Sequence, residues 1–230
     1  MANTLLSLTD VSYTWPGQTE PVLNLSPLAL ARSEKVFLFG PSGSGKSTLL
    51  ALIGGLVRPD RGSIEFEGRE LTRMSGSARD RFRANHLGVI FQQFNLLPWL
   101  DVRANVALPC RFSRERSRRA GDVDHAVRSL LEAMDLEPAL WNRRADELSV
   151  GQQQRVAAAR ALIGKPSLIL ADEPTSALDS DRRQAFLDLL FAQASSVGSA
   201  LLFVSHDREL AARFDRQLSL PDINRVGASA

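Results

Sequence analysis

Residues 40–47 combine glycines, serines and one lysine in an order that can bind phosphate. Their letters, GPSGSGKS, fit the pattern G-x-x-x-x-G-K-[ST], and they lie between an apolar run at 36–39 and helix-spaced apolar residues at 47–56. Glycines let successive N–H groups turn toward phosphate oxygens, and the helix that follows adds its positive dipole end. We therefore predict that this loop binds a nucleotide through its phosphates. The residues expected to contact it are Gly40, Ser42, Gly43, Ser44, Gly45, Lys46, Ser47 and Thr48.

Side-chain chemistry divides the work within this loop. Lys46 is expected to reach the β- and γ-phosphates, and the hydroxyl of Ser47 to bind Mg²⁺. A phosphate loop after a strand does not distinguish among GTPases, kinases, recombinases and transporters. Other residues must decide among these classes.

Two acidic residues follow a second buried run, 168–171. Asp172 would lie at the strand tip and hold Mg²⁺ directly or through water, and Glu173 would act as general base on the attacking water. An Asp-Glu pair alone would be explained as the polar end of a strand. The phosphate loop upstream favours the catalytic interpretation.

The elements that position these groups follow from the apolar pattern. Runs at 36–39, 168–171 and 200–204 suit buried parallel strands, and 87–91 is predicted as a further strand. Ligands of open α/β sheets bind at the carboxyl edge, so residues after these strands are expected to share a site. A helical insertion is placed at about 93–148. The other predicted elements are strands at 5–15 and 62–68 and helices around 123–134 and 152–163.

Composition and charge are those of an ordinary globular protein. The 230 residues are 44% hydrophobic and 23% charged, and a net charge of +2 is too small to imply a nucleic-acid or lipid surface by itself. No stretch approaches the roughly 20 apolar residues of a membrane-spanning helix, and residues 1–4 lack the features of a secretory signal. We expect a cytoplasmic protein. The single cysteine, Cys110, excludes an internal disulfide, and no Cys/His cluster has metal-ligand spacing.

A basic segment occupies 111–119, with the letters RFSRERSRR. Such a segment could indicate a nucleic-acid or lipid surface. In a helical insertion a charge run is more often a solvated face or loop, and we adopt that interpretation.

Taken together, the motifs resemble those of the nucleotide-binding subunits of ABC transporters, over nearly the whole chain. Residues 148–152 (LSVGQ) are similar to the family's LSGGQ signature, and 171–175 (ADEPT) to its second phosphate-site motif. Residues 176–179 (SALD) are similar to its D-loop, and 205–207 (SHD) to its switch histidine. The motifs also follow the family's order, and this ordered set is far more specific than any single motif.

The resemblance implies roles that spacing alone would not. Gln92 is similar to the Q-loop glutamine, which implies a part in catalysis and in holding Mg²⁺. His206 would hydrogen-bond the γ-phosphate and hold the attacking water. Trp15 would stack on adenine, with Tyr13 as the competing candidate, and Asp179 would contribute to the nucleotide site.

The signature implies that two copies work as a pair. Ser149, Gly151 and Gln152 would form a second anion site of hydroxyl, backbone N–H and helix dipole. The resemblance implies that this site contacts the γ-phosphate held by the partner's Lys46, so that ATP joins the two chains. Ser149 taken alone would simply be an N-cap. Val150 departs from the family's glycine and adds bulk at this interface.

The fold that the resemblance implies is a P-loop NTPase (RecA-like) α/β core with an antiparallel β subdomain and an inserted α-helical subdomain. We assign 1–92 and 165–230 to the core and 93–164 to the helical subdomain within a single domain, 1–230. ATP and Mg²⁺ are the implied ligands. A second copy and integral membrane permease subunits are the implied partners, at the cytoplasmic face of the inner (plasma) membrane and without nucleic acid. A periplasmic or extracytoplasmic accessory protein stays open.

Within the family, residues 91–98 (FQQFNLLP) look most like the subgroup that serves lipoprotein release, macrolide efflux and cell-division permeases. The insertion would form a groove for a coupling helix of the permease, with Leu97, Trp99 and Leu100 as contacts or, with equal weight, as core. The ATPase of a binding-protein-dependent importer is the nearest alternative. A soluble ABC ATPase acting on a macromolecule is a more distant one.

Overall fold

The computed structural model describes residues 3–176 and 178–226. Each strand and helix predicted from the sequence is present, with ends shifted by a few residues. No helix in the described part of the chain is long and apolar enough to cross a membrane. The strands are β1 (Thr4–Tyr13), β2 (Leu23–Asn24), β3 (Leu28–Ala31), β4 (Lys35–Phe39), β5 (Arg61–Phe66), β6 (Arg69–Glu70), β7 (Leu87–Ile90), β8 (Leu168–Asp172), β9 (Ala200–Val204) and β10 (Arg216–Ser219). The helices are α1 (Lys46–Ile53), α2 (Gly76–His86), α3 (Val102–Phe112), α4 (Arg114–Ala120), α5 (Val123–Ala133), α6 (Val150–Leu162), α7 (Ser180–Ser196) and α8 (Leu220–Ile223).

The chain divides into two units, the first comprising Met1–Arg83 with Leu202–Ala230 and the second Ala84–Leu201. An antiparallel sheet in the first unit has the order β2-β1-β5-β6, with β3 also paired to β1. Leu6 of β1 opposes Phe66 of β5, and both side chains are buried. The alternating pattern of 62–68 thus forms a strand with one face in a core, as period-two patterning predicts.

The first unit also contains β4, which pairs in parallel with β10 and has β9 as its other neighbour. Their core is aromatic: the ring centroid of Phe37 lies 6.1 Å from that of Phe203 and 5.2 Å from that of Phe214. The N–H of Ser205 donates to the Leu38 oxygen at 3.1 Å, which continues the pairing of β9 with β4 to the carboxyl end of both strands.

In the second unit β8 pairs in parallel with β7, and Ile90 lies opposite Ala171. Helix α6 packs directly against β7. A Cβ placed at Gly88 of β7 would lie 2.3 Å from the Ala161 oxygen of α6, so only glycine permits this approach. Helices α3 and α5 pack on α6 and complete the helical part of this unit.

The basic segment 111–119 is not a uniformly solvated face, which corrects the prediction from its composition. Arg116 is 2% exposed, and its guanidinium donates to the main-chain oxygens of Leu87 at 3.0 Å, Ala161 at 2.6 Å and Ile163 at 2.8 Å. Burial lowers the pKa of Arg116 to about 10. Carbonyls at the carboxyl end of α6 carry its negative dipole, and they compensate the buried charge.

Candidate functional site

The phosphate loop lies in the first unit, between the end of β4 at Phe39 and the start of α1 at Lys46. Gly43 and Gly45 have φ angles of 79° and 100°, in the left-handed region that glycine enters without strain. A Cβ at Gly45 would also lie 2.7 Å from a methyl carbon of Leu23. Glycine at these positions lets the chain curl at the start of α1, as the motif predicts.

Polar side chains of this loop are arranged for an anion. The hydroxyl of Ser44 is buried and has no hydrogen-bond partner among the described residues, and Ser47 is exposed in the first turn of α1. The Nζ of Lys46 donates to the main-chain oxygens of Gly40 at 2.8 Å and Pro41 at 3.0 Å. An unpaired buried hydroxyl costs about 1–3 kcal/mol. A phosphate oxygen would satisfy that hydroxyl and place a negative charge beside the lysine.

The two candidates for the adenine-stacking aromatic differ in exposure. Trp15 is 38% exposed, whereas Tyr13 is 6% exposed. Their rings meet edge to face with centroids 5.1 Å apart, and Nε1 of Trp15 donates to Oγ1 of Thr48 at 3.3 Å. Trp15 therefore offers accessible ring surface beside α1, while Tyr13 belongs to the core behind it.

His206 lies two residues after the end of β9, and its side chain is exposed. The N–H of Asp207 donates to Oγ of the buried Ser205 at 3.1 Å, which shapes the turn after the strand. Because β9 neighbours β4, His206 follows the same sheet edge as the phosphate loop, within the first unit.

Gln92 and the acidic pair lie in the second unit, after β7 and at the end of β8. Ile90 opposes Ala171 across these strands, so Gln92 and Asp172 follow the same carboxyl edge. Glu173 is half-buried and has a φ of 47°, an uncommon conformation for a residue with a side chain. One amide and two carboxylates therefore follow a single sheet edge.

The signature begins α6 as a capping box. Oγ of Ser149 accepts from the N–H of Gln152 at 3.4 Å, and Oε1 of Gln152 accepts from the N–H of Ser149 at 2.9 Å. Both residues face solvent, and the neighbouring Val150 is 48% exposed. A cavity of about 400 Å³ opens beside them, and its lining includes Ser149, Gly151, Gln152, Arg155, Leu178 and Arg182.

The D-loop residues border the same cavity. Leu178 lines it, and the exposed Asp179 caps α7 by accepting from the N–H of Arg182 at 3.0 Å. Ala177 of this motif lies outside the described residues. Signature and D-loop thus meet at one exposed surface of the second unit.

A second cavity of this unit, about 230 Å³, has an apolar and partly exposed lining. Phe112 at the end of α3 is 77% exposed, and Phe91 after β7 is 40% exposed. Trp99 is 67% exposed, but within the described chain neither it nor the other two predicted groove contacts belong to this lining. The lining residues that carry its chemistry are Phe91, Asn95, Leu108, Pro109, Phe112 and Arg160.

Two buried polar side chains of α6 are not predicted from the sequence. Gln154 is 1% exposed and its Nε2 donates to the Pro174 oxygen at 2.7 Å. Arg160 is 9% exposed and donates to the oxygens of Phe94 and Asn95. No residue spacing in the sequence marked either side chain, because their partners are main-chain oxygens.

Comparison with known proteins adds independent findings. The family model described as ABC transporter matches residues 23–176. The lipoprotein-releasing system ATP-binding protein LolD of Psychrobacter arcticus is 42% identical over 218 residues, which cover 94% of this chain and 95% of that protein. The uncharacterized ABC transporter ATP-binding protein YbbA of Escherichia coli K12 is 42% identical over 193 residues, covering 84% and 83%. A dimeric structure of the ATP-binding cassette MJ0796, in a post-hydrolysis state with ADP and Pi, matches with a TM-score of 0.82 and 33% identity, covering 96% and 94%.

Proposed function

The chain belongs to the ABC transporter family of ATP-binding proteins, and from that premise we propose that it powers a lipoprotein-releasing or closely related permease. As a family member it is an ATPase subunit with the P-loop fold. The observation that supports ATP-dependent pairing of two copies is the exposed capping box of Ser149 beside a cavity of about 400 Å³. A module that only bound nucleotide would have no use for a second anion site.

The name of a relative supports the proposed substrate class. LolD, at 42% identity across 94% of this chain, is named for lipoprotein release. We propose the same class of acylated cargo here, with work done through a permease at the cytoplasmic face of the inner (plasma) membrane. An extracytoplasmic accessory protein would then act on the permease and not on this chain.

Three side chains are proposed as Mg²⁺ ligands from the family resemblance. The hydroxyl of Ser47 is exposed and makes no hydrogen bond within the described chain, while Asp172 and Gln92 follow one sheet edge. All three offer oxygen, the donor that Mg²⁺ prefers. Bound there, Mg²⁺ neutralises charge on the β- and γ-oxygens.

For hydrolysis we propose four side chains, each in the role that the family resemblance implies. Glu173 accepts a proton from water as the water oxygen bonds to phosphorus and the bond to the bridging oxygen of ADP breaks. Gln92 orients that water. His206 donates a hydrogen bond to the γ-phosphate, and Lys46 offsets the negative charge on the β- and γ-oxygens.

A second copy is proposed to complete each site. The N-terminus of α6 presents a hydroxyl and the positive end of the helix dipole to solvent. Placed against the γ-phosphate held by the partner's Lys46, it would add a donor and a favourable dipole. The dimeric cassette MJ0796 supports this arrangement, since it matches 96% of this chain.

The cavity beside α3 is proposed to receive the coupling helix of the permease. Phe91 and Phe112 supply exposed apolar surface at its rim, and Asn95 brings polar groups of the loop after Gln92 to the same lining. A helix seated there would contact this loop directly. Leu97, Trp99 and Leu100 stay predicted contacts of the same permease surface.

The experiment that tests the proposal is ATP-dependent pairing of the Glu173→Gln variant. Without the general base, ATP should persist, and light scattering after gel filtration should show a doubled mass with ATP and Mg²⁺ but not with ADP. Glu132→Gln, an exposed glutamate on α5, is the matched control and should not trap a pair. A Glu173→Gln chain that stays monomeric with ATP at high protein concentration would contradict the proposal.

A further inference from the structure

Helix α6 carries more than the signature. Two of its polar side chains are buried, Gln154 at 1% and Arg160 at 9% exposure. Buried polar groups are costly unless they are paired. Both are paired with main-chain oxygens outside their own helix, at the two loops that carry the proposed catalytic side chains.

Arg160 holds the loop that follows Gln92. Its Nη2 donates to the Phe94 oxygen at 2.5 Å and its Nη1 to the Asn95 oxygen at 2.7 Å. Phe94 and Asn95 have φ angles of 60° and 48°, a conformation that is unfavourable for a residue other than glycine. Two consecutive left-handed residues persist only where the surroundings impose them, and here the guanidinium bridges both carbonyls. Burial also lowers the pKa of Arg160.

Gln154 holds the turn that follows Glu173. Its Nε2 donates to the Pro174 oxygen at 2.7 Å, and Glu173 itself has a φ of 47°. The turn is closed by the N–H of Ser176, which donates to the Glu173 oxygen at 3.3 Å. A side chain fixed in the core of α6 therefore anchors the peptide next to the proposed general base.

We propose that Gln154 and Arg160 are positioning residues for hydrolysis, which place the Glu173 turn and the Gln92 loop from one rigid helix. The proposal rests on the proposed function, because that function makes Glu173 and Gln92 the groups that act on the attacking water. Ser149 at the N-terminus of α6 lies about 16 Å from Arg160 along the axis, from eleven residue rises of about 1.5 Å. Contact of Ser149 with a phosphate would therefore fix the same helix that fixes both catalytic loops.

The experiment measures kcat, KM for ATP and segment-resolved hydrogen exchange for Arg160→Lys and Gln154→Met. Lysine keeps the charge but lacks the fork that reaches two carbonyls, and methionine keeps the length of glutamine without its donor. Each variant should lower kcat about tenfold, the effect of one lost hydrogen bond to a catalytic loop, with KM changed by less than about twofold. Exchange should rise at 92–97 for Arg160→Lys and at 173–176 for Gln154→Met.

Local exchange separates positioning from general destabilisation, which would raise exchange throughout the chain. Arg128→Lys on α5 and Gln193→Met on α7 are exposed or half-exposed controls of the same types, and both should keep wild-type kcat. Loosened loops with an unchanged kcat would overturn the inference, and so would a uniform rise in exchange. A wild-type chain without ATPase activity would refute the proposed function instead, and the exchange arm would still test the two contacts.

Discussion

Ser149 is assigned two roles, and a pair of substitutions can separate them. As an N-cap it stabilises α6 within its own chain, and as part of the signature it would meet the triphosphate of a second copy. Ser149→Ala removes the hydroxyl from both roles. Ser149→Asp keeps a capping acceptor but places a carboxylate where the phosphate is expected.

The size of each effect follows from the capping box. The bond from the Gln152 N–H to Oγ of Ser149 is long, at 3.4 Å, while the 2.9 Å bond from the Ser149 N–H uses backbone that every substitution retains. Ser149→Ala should therefore cost about 0.5–1 kcal/mol of unfolding free energy, the low end for a lost cap. Ser149→Asp should be neutral or gain up to about 0.5 kcal/mol from the helix dipole. In the pair, a carboxylate about 4 Å from a phosphate charge costs about 4 kcal/mol at an effective dielectric of 20, or roughly a thousandfold in association.

The assay combines urea unfolding of each variant with gel filtration and light scattering in the Glu173→Gln background. Ser149→Asp should unfold at or above the parent midpoint, yet show no pairing with ATP and Mg²⁺ at concentrations that fully pair the parent. Ser149→Ala should weaken both properties moderately. If Ser149→Asp pairs as tightly as the parent, the signature serine does not face a phosphate and the two-copy site is refuted.

Four further outcomes are expected from single positions. Lys46→Ala should reduce the rate of ATP hydrolysis, measured as phosphate release, at least a hundredfold, because the β- and γ-oxygens lose the positive charge of the lysine. Retained turnover would contradict the role of Lys46. Trp15→Ala should weaken ATP binding about tenfold or more, because stacking worth about 1–3 kcal/mol is lost. An unchanged affinity measured by calorimetry would show that this ring does not stack on adenine. Arg116→Met should lower the free energy of unfolding by about 3 kcal/mol, because three carbonyls lose their hydrogen-bond donor. A loss below about 1 kcal/mol, measured by urea unfolding, would contradict this prediction. Burial raises the pKa of Cys110, and nearby arginines oppose this shift in part. Because less of the thiol is then ionised at pH 8, a disulfide reagent should label Cys110 more slowly than it labels free cysteine. An equal labelling rate would count against this burial.

The residues that would touch nucleotide were predictable because their spacing is dictated by phosphate chemistry. A loop of backbone N–H groups needs glycine at set positions, and Gly43 and Gly45 indeed adopt positive φ angles. The strands at 36–39 and 200–204 were predictable for a similar reason, since buried parallel strands are continuous apolar runs. Exposure was harder to predict: the sequence alone left Trp15 and Tyr13 as rivals, and only packing distinguishes them, at 38% against 6%.

Buried side chains that position a site through main-chain oxygens show no comparable spacing in the sequence. A carbonyl belongs to every residue, so no side-chain spacing reveals that Arg160 will meet two left-handed peptides or that Arg116 will turn inward from a basic run. Such an arginine is buried only if the tertiary structure leaves carbonyls without partners at its reach. Gln154 and Arg160 donate to carbonyls of the two loops that follow β8 and β7, where the regular hydrogen bonding of the strands has ended. A search for buried side-chain donors at the ends of catalytic strands would therefore find positioning residues that motif spacing cannot.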